Sequence, residues 1–141
     1  RTDPEVLKAA QDFTTKVKKT GVTIRDFTGF VVNRLLTPYM VDAMRTVQEG
    51  LASIAAIDAA MQLGANHPMG PLALADFIGL DIVFHMSNNL YDEYREARFT
   101  PPPLLRRLVL AGYLGRKSGK GFYDYSTTPP TPNDYLVSSV A

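Results

Sequence analysis

The sequence predicts a mostly α-helical domain, and three observations support this fold class. Apolar residues recur every three or four positions in several separate segments. Residues that typically begin helices stand before these segments, and glycine follows most of them. Near the start, a short alternating run at residues 22–25 is typical of a strand. We therefore expect a bundle of helices with one strand-like segment near its start.

The first helix is predicted from Asp3, a good N-cap, and Pro4, which suits the first helical position. Apolar residues then recur at helical spacing up to a stop near Gly21. The strand predicted at residues 22–25 has no partner in the sequence that follows. Because an unpaired strand is unstable, we expect its sheet to lie upstream in a longer protein.

A long helix is predicted from Gly29 to Glu49, with Asn33 and Arg34 in its second turn. Its spacing predicts one common apolar face for Phe30, Leu35, Val41, Met44 and Val47. Pro38 lacks the N–H that the carbonyl of Arg34 would accept, so we expect a kink and a free acceptor there.

Shorter helices follow, and each is predicted from its boundary residues. One helix is predicted from Ile54 to Leu63, between Ser53 and Gly64, and another from Gly70-Pro71 through Phe77, which Gly79 ends. A longer helix is capped by Asp81 and reaches about Ala97. A last helix covers Leu104, Leu105, Leu108 and Val109, and a short extended piece follows at Phe122–Tyr125. The tail, residues 126–141, is rich in proline, serine and threonine and is predicted to be a flexible arm, in which residues 135–137 could anchor on a partner.

Composition excludes several classes of function. The 141 residues are 45% apolar, which suits one domain or one domain with part of another, and no apolar run approaches the ~18 residues of a membrane span. The net charge of +1 is too small to produce an electrostatic field that would attract nucleic acid. The chain has no cysteine, which excludes disulfides and thiolate chemistry and fits a reducing compartment. The first residues do not resemble a signal peptide and are predicted to be internal to a longer protein.

Few side chains form a pattern typical of catalysis or metal binding. His67 and His85 have no carboxylate or cysteine at ligand spacing, so we predict no metal site. The carboxylates of the helices are spaced as caps and solvated faces. Asp76 differs because it follows Leu72 and Leu74 in an apolar helix, and we expect it to brace a neighbouring segment.

Three blocks of sequence, in order, resemble the C-terminal part of 3-hydroxyacyl-CoA dehydrogenases, closest to the 3-hydroxybutyryl-CoA type. They are DFTGFVVNRLL at residues 26–36, PMGPL at 68–72 followed by GLD at 79–81, and GRKSGKGFYDY at 115–125. The resemblance extends from the first helix to about Tyr125. It implies that residues 1–27 are the end of a Rossmann-type NAD-binding domain, that 28–125 form a helical substrate-binding and dimerisation domain, and that 126–141 form a flexible tail.

The resemblance also implies roles for four residues. Asn33 would face the acyl-CoA and hold its thioester and its reacting hydroxyl or keto group; a helix residue bonded to neighbouring backbone is the alternative. Lys117 would approach the nicotinamide cofactor, or else be a solvated lysine. Met69 and Phe30 would line the groove for the acyl chain, or else fill the core.

The function that these features imply is NAD-dependent interconversion of 3-hydroxyacyl-CoA and 3-oxoacyl-CoA in fatty acid metabolism and β-oxidation. The implied partners are an acyl-CoA, an upstream NAD-binding domain that carries the acid/base histidine, and a second copy in a homodimer, with no nucleic acid and no membrane. Such an enzyme would be cytoplasmic, or in the mitochondrial matrix of a eukaryote, and the chain alone would be inactive. The alternatives are a dimerisation or crystallin-like structural protein of the same fold and a different NAD-dependent hydroxyacid dehydrogenase.

Overall fold

The computed structural model describes residues 2–138 and shows a helical protein with one small hairpin, which confirms the predicted fold class. The helices are α1 (Pro4–Lys16), α2 (Val32–Gln48), α3 (Ile54–Ala65), α4 (Pro71–Ile78), α5 (Leu80–Tyr94), α6 (Pro103–Leu110) and α7 (Tyr135–Ser138), and the strands are β1 (Tyr123–Asp124) and β2 (Thr131–Pro132). Short 3-10 turns lie at Ala97–Phe99 and Arg116–Ser118. No helix within the described range is long and apolar enough to cross a membrane.

Helix α1 forms as predicted, but its apolar face has no cover. Asp3 accepts the N–H of Glu5 at 2.8 Å, which caps the first turn. Val6 and Phe13 are nevertheless 59% and 64% exposed. Residues 22–25, predicted as a strand of an upstream sheet, have no regular secondary structure in this chain, because a strand requires a hydrogen-bonded neighbour.

Helix α2 begins three residues later than predicted, at Val32 instead of Gly29. Gly29 and Phe30 have φ angles of +83° and +47°, which no right-handed helix allows. The prediction of a single apolar face is also wrong, since Phe30 and Leu35 are exposed while Val41, Met44 and Val47 are buried. The helix continues through Pro38.

The boundaries of the middle helices also depend on left-handed residues. Ser53 caps α3 as predicted, accepting the N–H of Ala56 at 3.2 Å. However, α3 runs through Gly64 and ends at Ala65, because the next residue, Asn66, has a φ of +54°. Helix α5 ends at Tyr94 and not near Ala97, because the next residue, Arg95, has a φ of +53°. The predicted cap at Asp81 is wrong, because α5 begins at Leu80 and Gly79 occupies the cap position.

The core lies around α2, and α3, α4, α5 and α6 pack against it. Its fully or almost fully buried members are Met40, Met44, Val47, Ile54, Leu72, Leu80, Val83, Leu104, Leu105, Leu108 and Phe122. Burial of this apolar surface stabilises the bundle.

The segment after Tyr125 does not extend as a free arm where the structure describes it, so the predicted flexible tail is wrong for residues 131–136. Strands β1 and β2 pair antiparallel, with Tyr123 opposite Pro132. Asn133 is buried, and its N–H donates to the carbonyl of Phe122 at 2.9 Å. Leu136 is 7% exposed in the core. The burial of Leu136 and these hydrogen bonds hold the segment in place, although its composition is typical of a linker. The last residues of the predicted tail, 139–141, lie outside the described residues.

Candidate functional site

Asn33 lies in the first turn of α2, at the edge of an apolar cavity. The cavity has a volume of about 430 Å³. Its lining consists of Val22, Ile24, Gly29, Phe30, Val31, Val32 and Asn33. The structure therefore brings two of the predicted site residues, Phe30 and Asn33, to one place, between the irregular segment after α1 and the start of α2.

The backbone before Asn33 forms a turn, defined here as the Asn33 turn, residues 28–33. The N–H of Phe30 donates to the carbonyl of Phe27 at 2.9 Å, and the N–H of Arg34 donates to the carbonyl of Gly29 at 3.2 Å. Phe30 is a non-glycine residue with positive φ, a conformation that costs energy and that persists where surrounding contacts support it.

The amide of Asn33 is exposed, and within residues 2–138 it has no hydrogen-bond partner. The interpretation of Asn33 as a helix residue bonded to its own backbone therefore has no support. A neutral amide both donates and accepts hydrogen bonds, so it can bind a carbonyl and also the hydroxyl that replaces it. An amide beside an apolar cavity is suited to a ligand with an apolar chain and a polar head.

Lys117 lies away from this cavity, in the 3-10 turn Arg116–Ser118. Its Nζ donates to Oδ1 and Oδ2 of Asp81 at 2.5 and 2.7 Å. This hydrogen bond is the main reason that the pKa of the Asp81 carboxyl is below its ordinary value. Lys117 is thus not freely solvated, and its charge is paired with that of Asp81 at the start of α5. Because an ammonium has three donors, one N–H remains for a ligand.

Met69 is half-buried and lines a different cavity from Phe30. This second cavity has a volume of about 500 Å³, and Arg116, Tyr123 and Tyr125 also line it. The four predicted residues therefore do not form a single cluster in this chain.

Asp76 is 1% exposed and ties α4 to the segment after the glycine-rich loop, as predicted for a bracing residue. It accepts the N–H groups of Phe122 and Tyr123 at 3.0 and 2.9 Å and the hydroxyl of Tyr125 at 3.0 Å. Burial raises the pKa of Asp76 from 3.8 to about 6, although these hydrogen bonds lower it. Burial also raises the pKa of Tyr125.

Asp58 is a second buried aspartate, one for which the sequence predictions above give no role. Its Oδ1 and Oδ2 accept the N–H groups of Leu72 and Ala73 at 2.8 and 2.9 Å, which caps α4 from outside. Its Oδ2 also accepts the hydroxyl of Tyr123 at 2.8 Å. The available signal was one carboxylate in an otherwise apolar helix, which predicts a buried and paired acid.

The histidines are dispersed. The Tyr39 hydroxyl and Nδ1 of His67 form a hydrogen bond of 2.9 Å. Within the described part of the chain, no group of three or more histidine, cysteine or acidic residues could hold a metal ion.

Comparison with known proteins gives a consistent result. Residues 29–125 match the family model described as the C-terminal domain of 3-hydroxyacyl-CoA dehydrogenase. The chain is 46% identical over 131 residues to a 3-hydroxybutyryl-CoA dehydrogenase of Bradyrhizobium diazoefficiens, a match that covers 93% of this chain and 45% of that protein. It is 54% identical over 110 residues to a probable 3-hydroxybutyryl-CoA dehydrogenase of Bacillus subtilis, covering 78% of this chain and 38% of that protein.

Solved structures show the same likeness. The crystal structure of (S)-3-hydroxybutyryl-CoA dehydrogenase PaaH1 from Ralstonia eutropha is similar with a TM-score of 0.86 and 44% identity, over 89% of this chain and 44% of that one. The 3-hydroxybutyryl-CoA dehydrogenase of Escherichia coli K12 is similar with a TM-score of 0.84 and 38% identity, over 89% of this chain and 27% of that one. The chain thus spans less than half of the length of these relatives.

Proposed function

The chain belongs to the family of 3-hydroxyacyl-CoA dehydrogenase C-terminal domains, and on this basis we propose that it forms the substrate-side half of an NAD-dependent 3-hydroxyacyl-CoA dehydrogenase of the 3-hydroxybutyryl-CoA type. The reaction is the interconversion of a 3-hydroxyacyl-CoA and a 3-oxoacyl-CoA, a step of β-oxidation in fatty acid metabolism. An upstream NAD-binding domain would provide the other half of the site and the acid/base histidine, so this chain alone is expected to be inactive.

The position of Asn33 is the single observation on which this proposal most depends. Its unpartnered amide lies beside Phe30 at the apolar cavity of about 430 Å³. In the proposed reaction C3 of the substrate alternates between a carbonyl, which accepts a hydrogen bond, and a hydroxyl, which also donates one. A neutral amide can serve both forms without burying a charge, and it can also hold the thioester oxygen.

The residues of this chain fit a limited role toward the cofactor. When bound, NAD would supply the hydride chemistry, as acceptor of the hydride from C3 of a 3-hydroxyacyl-CoA and, as NADH, as its donor in the reverse direction. Lys117, whose side chain is 46% exposed, would direct its remaining N–H to a polar edge of the nicotinamide moiety. Because Asp81 neutralises the ammonium, the pair is better suited to a carbonyl or hydroxyl group than to a phosphate.

The apolar surface that this half contributes fits two further partners. The exposed side chains of α1 and of the Asn33 turn, among them Phe13 and Phe30, would pack against the upstream domain and the acyl chain. Met69 would line the acyl groove from the opposite side. Helix α3 exposes Leu63 at 86% and α6 exposes Leu110 at 77%, and this surface supports the proposed homodimer.

The test is acetoacetyl-CoA reduction followed by NADH absorbance in the longer protein that contains this chain, with the chain alone as the comparison. Asn33→Ala is expected to lower kcat/KM by at least ~100-fold, which equals about 2.7 kcal/mol of transition-state stabilisation. Asn89→Ala is the matched control, because Asn89 is also an exposed helical asparagine and its amide has no hydrogen bond to any described residue.

Each outcome has a clear meaning. Activity in the long form with a selective loss in Asn33→Ala supports the proposal. An active long form with equal rates for Asn33→Ala and Asn89→Ala removes Asn33 from the reaction. A folded long form with no activity would favour the structural, dimer-forming alternative.

A further inference from the structure

Tyr94, the last residue of α5, contacts the first residue of the Asn33 turn and the residue directly after that turn. Its hydroxyl donates to the carbonyl of Thr28 at 3.0 Å. Its ring lies against the guanidinium of Arg34, with 4.1 Å between Cζ and the ring centroid. One side chain therefore bridges the residue that opens the turn and the residue that follows Asn33.

The Asn33 turn needs support from outside, because its own conformation is unfavourable. Gly29 and Phe30 both have positive φ, and Phe30 carries a large side chain there. Among the residues that the structure describes, no side chain caps the start of α2. On the side facing α5, Leu90 fills the space next to Gly29 so closely that a Cβ on Gly29 would collide with it. Leu90 and Tyr94, one helical turn apart, thus form the support beneath the turn.

Tyr94 is itself held in place. Its ring packs on that of Phe99 at a centroid distance of 5.6 Å, and Phe99 is fully buried. Directly after Tyr94, the N–H of Arg95 closes α5 by donating to the carbonyl of Tyr91 at 2.8 Å. A support that is anchored in the core can fix the turn that it contacts.

We propose that Tyr94 is a positioning residue for the amide of Asn33: it fixes the Asn33 turn against α5 so that the amide meets the reacting oxygen of the acyl-CoA. The proposal rests on the proposed function, since it takes Asn33 as the group that faces the substrate. Tyr94 acts through the turn and does not contact the substrate. Its loss should therefore reduce the chemical step more than substrate binding, because a small misplacement of an orienting group lowers the rate.

The experiment uses the longer protein with acetoacetyl-CoA and NADH. Tyr94→Leu removes both contacts and is expected to lower kcat between about 10- and 100-fold, with KM for acetoacetyl-CoA changed by less than about 3-fold. Tyr94→Phe keeps the ring on Arg34 and loses only the hydroxyl. It should recover most of the rate, to within about 5-fold of the parent, the equivalent of one net hydrogen bond.

Two further variants separate positioning from general stability. The double variant Asn33→Ala with Tyr94→Leu should be no slower than Asn33→Ala alone, because Tyr94 has no effect once the amide is absent. Tyr91→Leu is the matched control. Tyr91 lies one turn earlier on α5, and its ring centroid is 5.6 Å from Cζ of Arg95. The substitution at Tyr91 should leave kcat unchanged.

The outcomes distinguish this proposal from the proposed function. If Asn33→Ala is slow while Tyr94→Leu and Tyr94→Phe keep the parent kcat, Tyr94 does not position the turn and the role of Asn33 stands. Additive losses in the double variant would also overturn the proposal. If Asn33→Ala has no effect, the function proposed for Asn33 fails first. Should Tyr94→Leu not fold, the same comparison is made with Tyr94→Phe and its double variant.

Discussion

Oδ2 of Asp76 accepts the backbone N–H of Tyr123 at 2.9 Å, and this contact joins α4 to β1. The carboxylate is buried, and both of its oxygens accept hydrogen bonds. It therefore fixes the end of the glycine-rich loop that carries Lys117. A side chain that binds backbone donors fixes a loop regardless of the identity of the loop's own side chains.

Asp76→Ala should lower the free energy of unfolding by about 3 kcal/mol, because it leaves the buried N–H of Phe122 and that of Tyr123 without an acceptor. Urea unfolding followed by circular dichroism measures this loss. Asp92→Ala is the control, since Asp92 is exposed and its ion pair with Arg95, at 3.4 Å, lies in solvent. Equal stabilities of the two variants would show that Asp76 does not brace the loop.

The pKa of Asp76 predicts a pH dependence of stability. Its folded-state pKa of about 6 is above the ordinary value of 3.8, so the folded state binds the proton more tightly than the unfolded state does. The contribution of Asp76 is then greatest below about pH 4 and falls as the pH rises toward 6, by about 3 kcal/mol in total. Above about pH 7, where Asp76 is ionised in both states, it should stay constant.

Asp76→Asn isolates this effect, because the amide does not titrate. The difference in unfolding free energy between parent and variant should shrink between pH 4 and pH 7. A difference that stays constant over this range would mean that the pKa of Asp76 is not raised.

Gly115 is predicted to be irreplaceable for two reasons. Its φ is +87°, and a Cβ there would collide with the backbone of Asp76. Gly112 has a similar φ of +77° but open space around it, so Gly112→Ala measures the backbone cost alone. We expect about 1 kcal/mol for Gly112→Ala and at least about 3 kcal/mol for Gly115→Ala in thermal or urea unfolding. Similar losses at both positions would contradict the close approach of Asp76.

Lys117→Ala in the longer protein should raise KM for NADH by about 10-fold, the loss of one charge-assisted hydrogen bond. Lys120→Ala is the control, because Lys120 lies in the same loop and contacts the ring of Tyr113 at 5.0 Å. Steady-state kinetics with varied NADH measures both. If the two variants share the parent KM, Lys117 only ties its loop to Asp81.

The homodimer predicts a concentration-dependent mass in equilibrium sedimentation, with dimer dominant at high micromolar concentration. Ala60→Glu places a charge on the exposed apolar face of α3 and should shift the equilibrium to monomer. Asn89→Glu adds the same charge on α5 and should leave the dimer intact. A parent protein that remains monomeric at high micromolar concentration would remove the dimer from the proposal.

The sequence predicted the helices well where local signals agree. Asp3 and Ser53 cap helices as expected, and Gly79 ends α4. The start of α2 was wrong because glycine before an apolar periodic run fits either a helix or a turn, and only the packing of Leu90 and Tyr94 decides between them. The end of α5 was wrong because the left-handed conformation of Arg95 has no strong local signal.

For the candidate site, the sequence by itself determined which residues have suitable chemistry: the resemblance selected Phe30, Asn33, Met69 and Lys117, and the apolar context of Asp76 predicted a bracing role. The tertiary structure decided which of them meet. It placed Asn33 with Phe30 at one cavity, Met69 at another, and Lys117 on Asp81. Only the fold could show this, because capping and periodicity act within a few residues. The cavity beside Asn33 also needs Val22 and Ile24 from the preceding segment, and Lys117 lies 36 residues after Asp81.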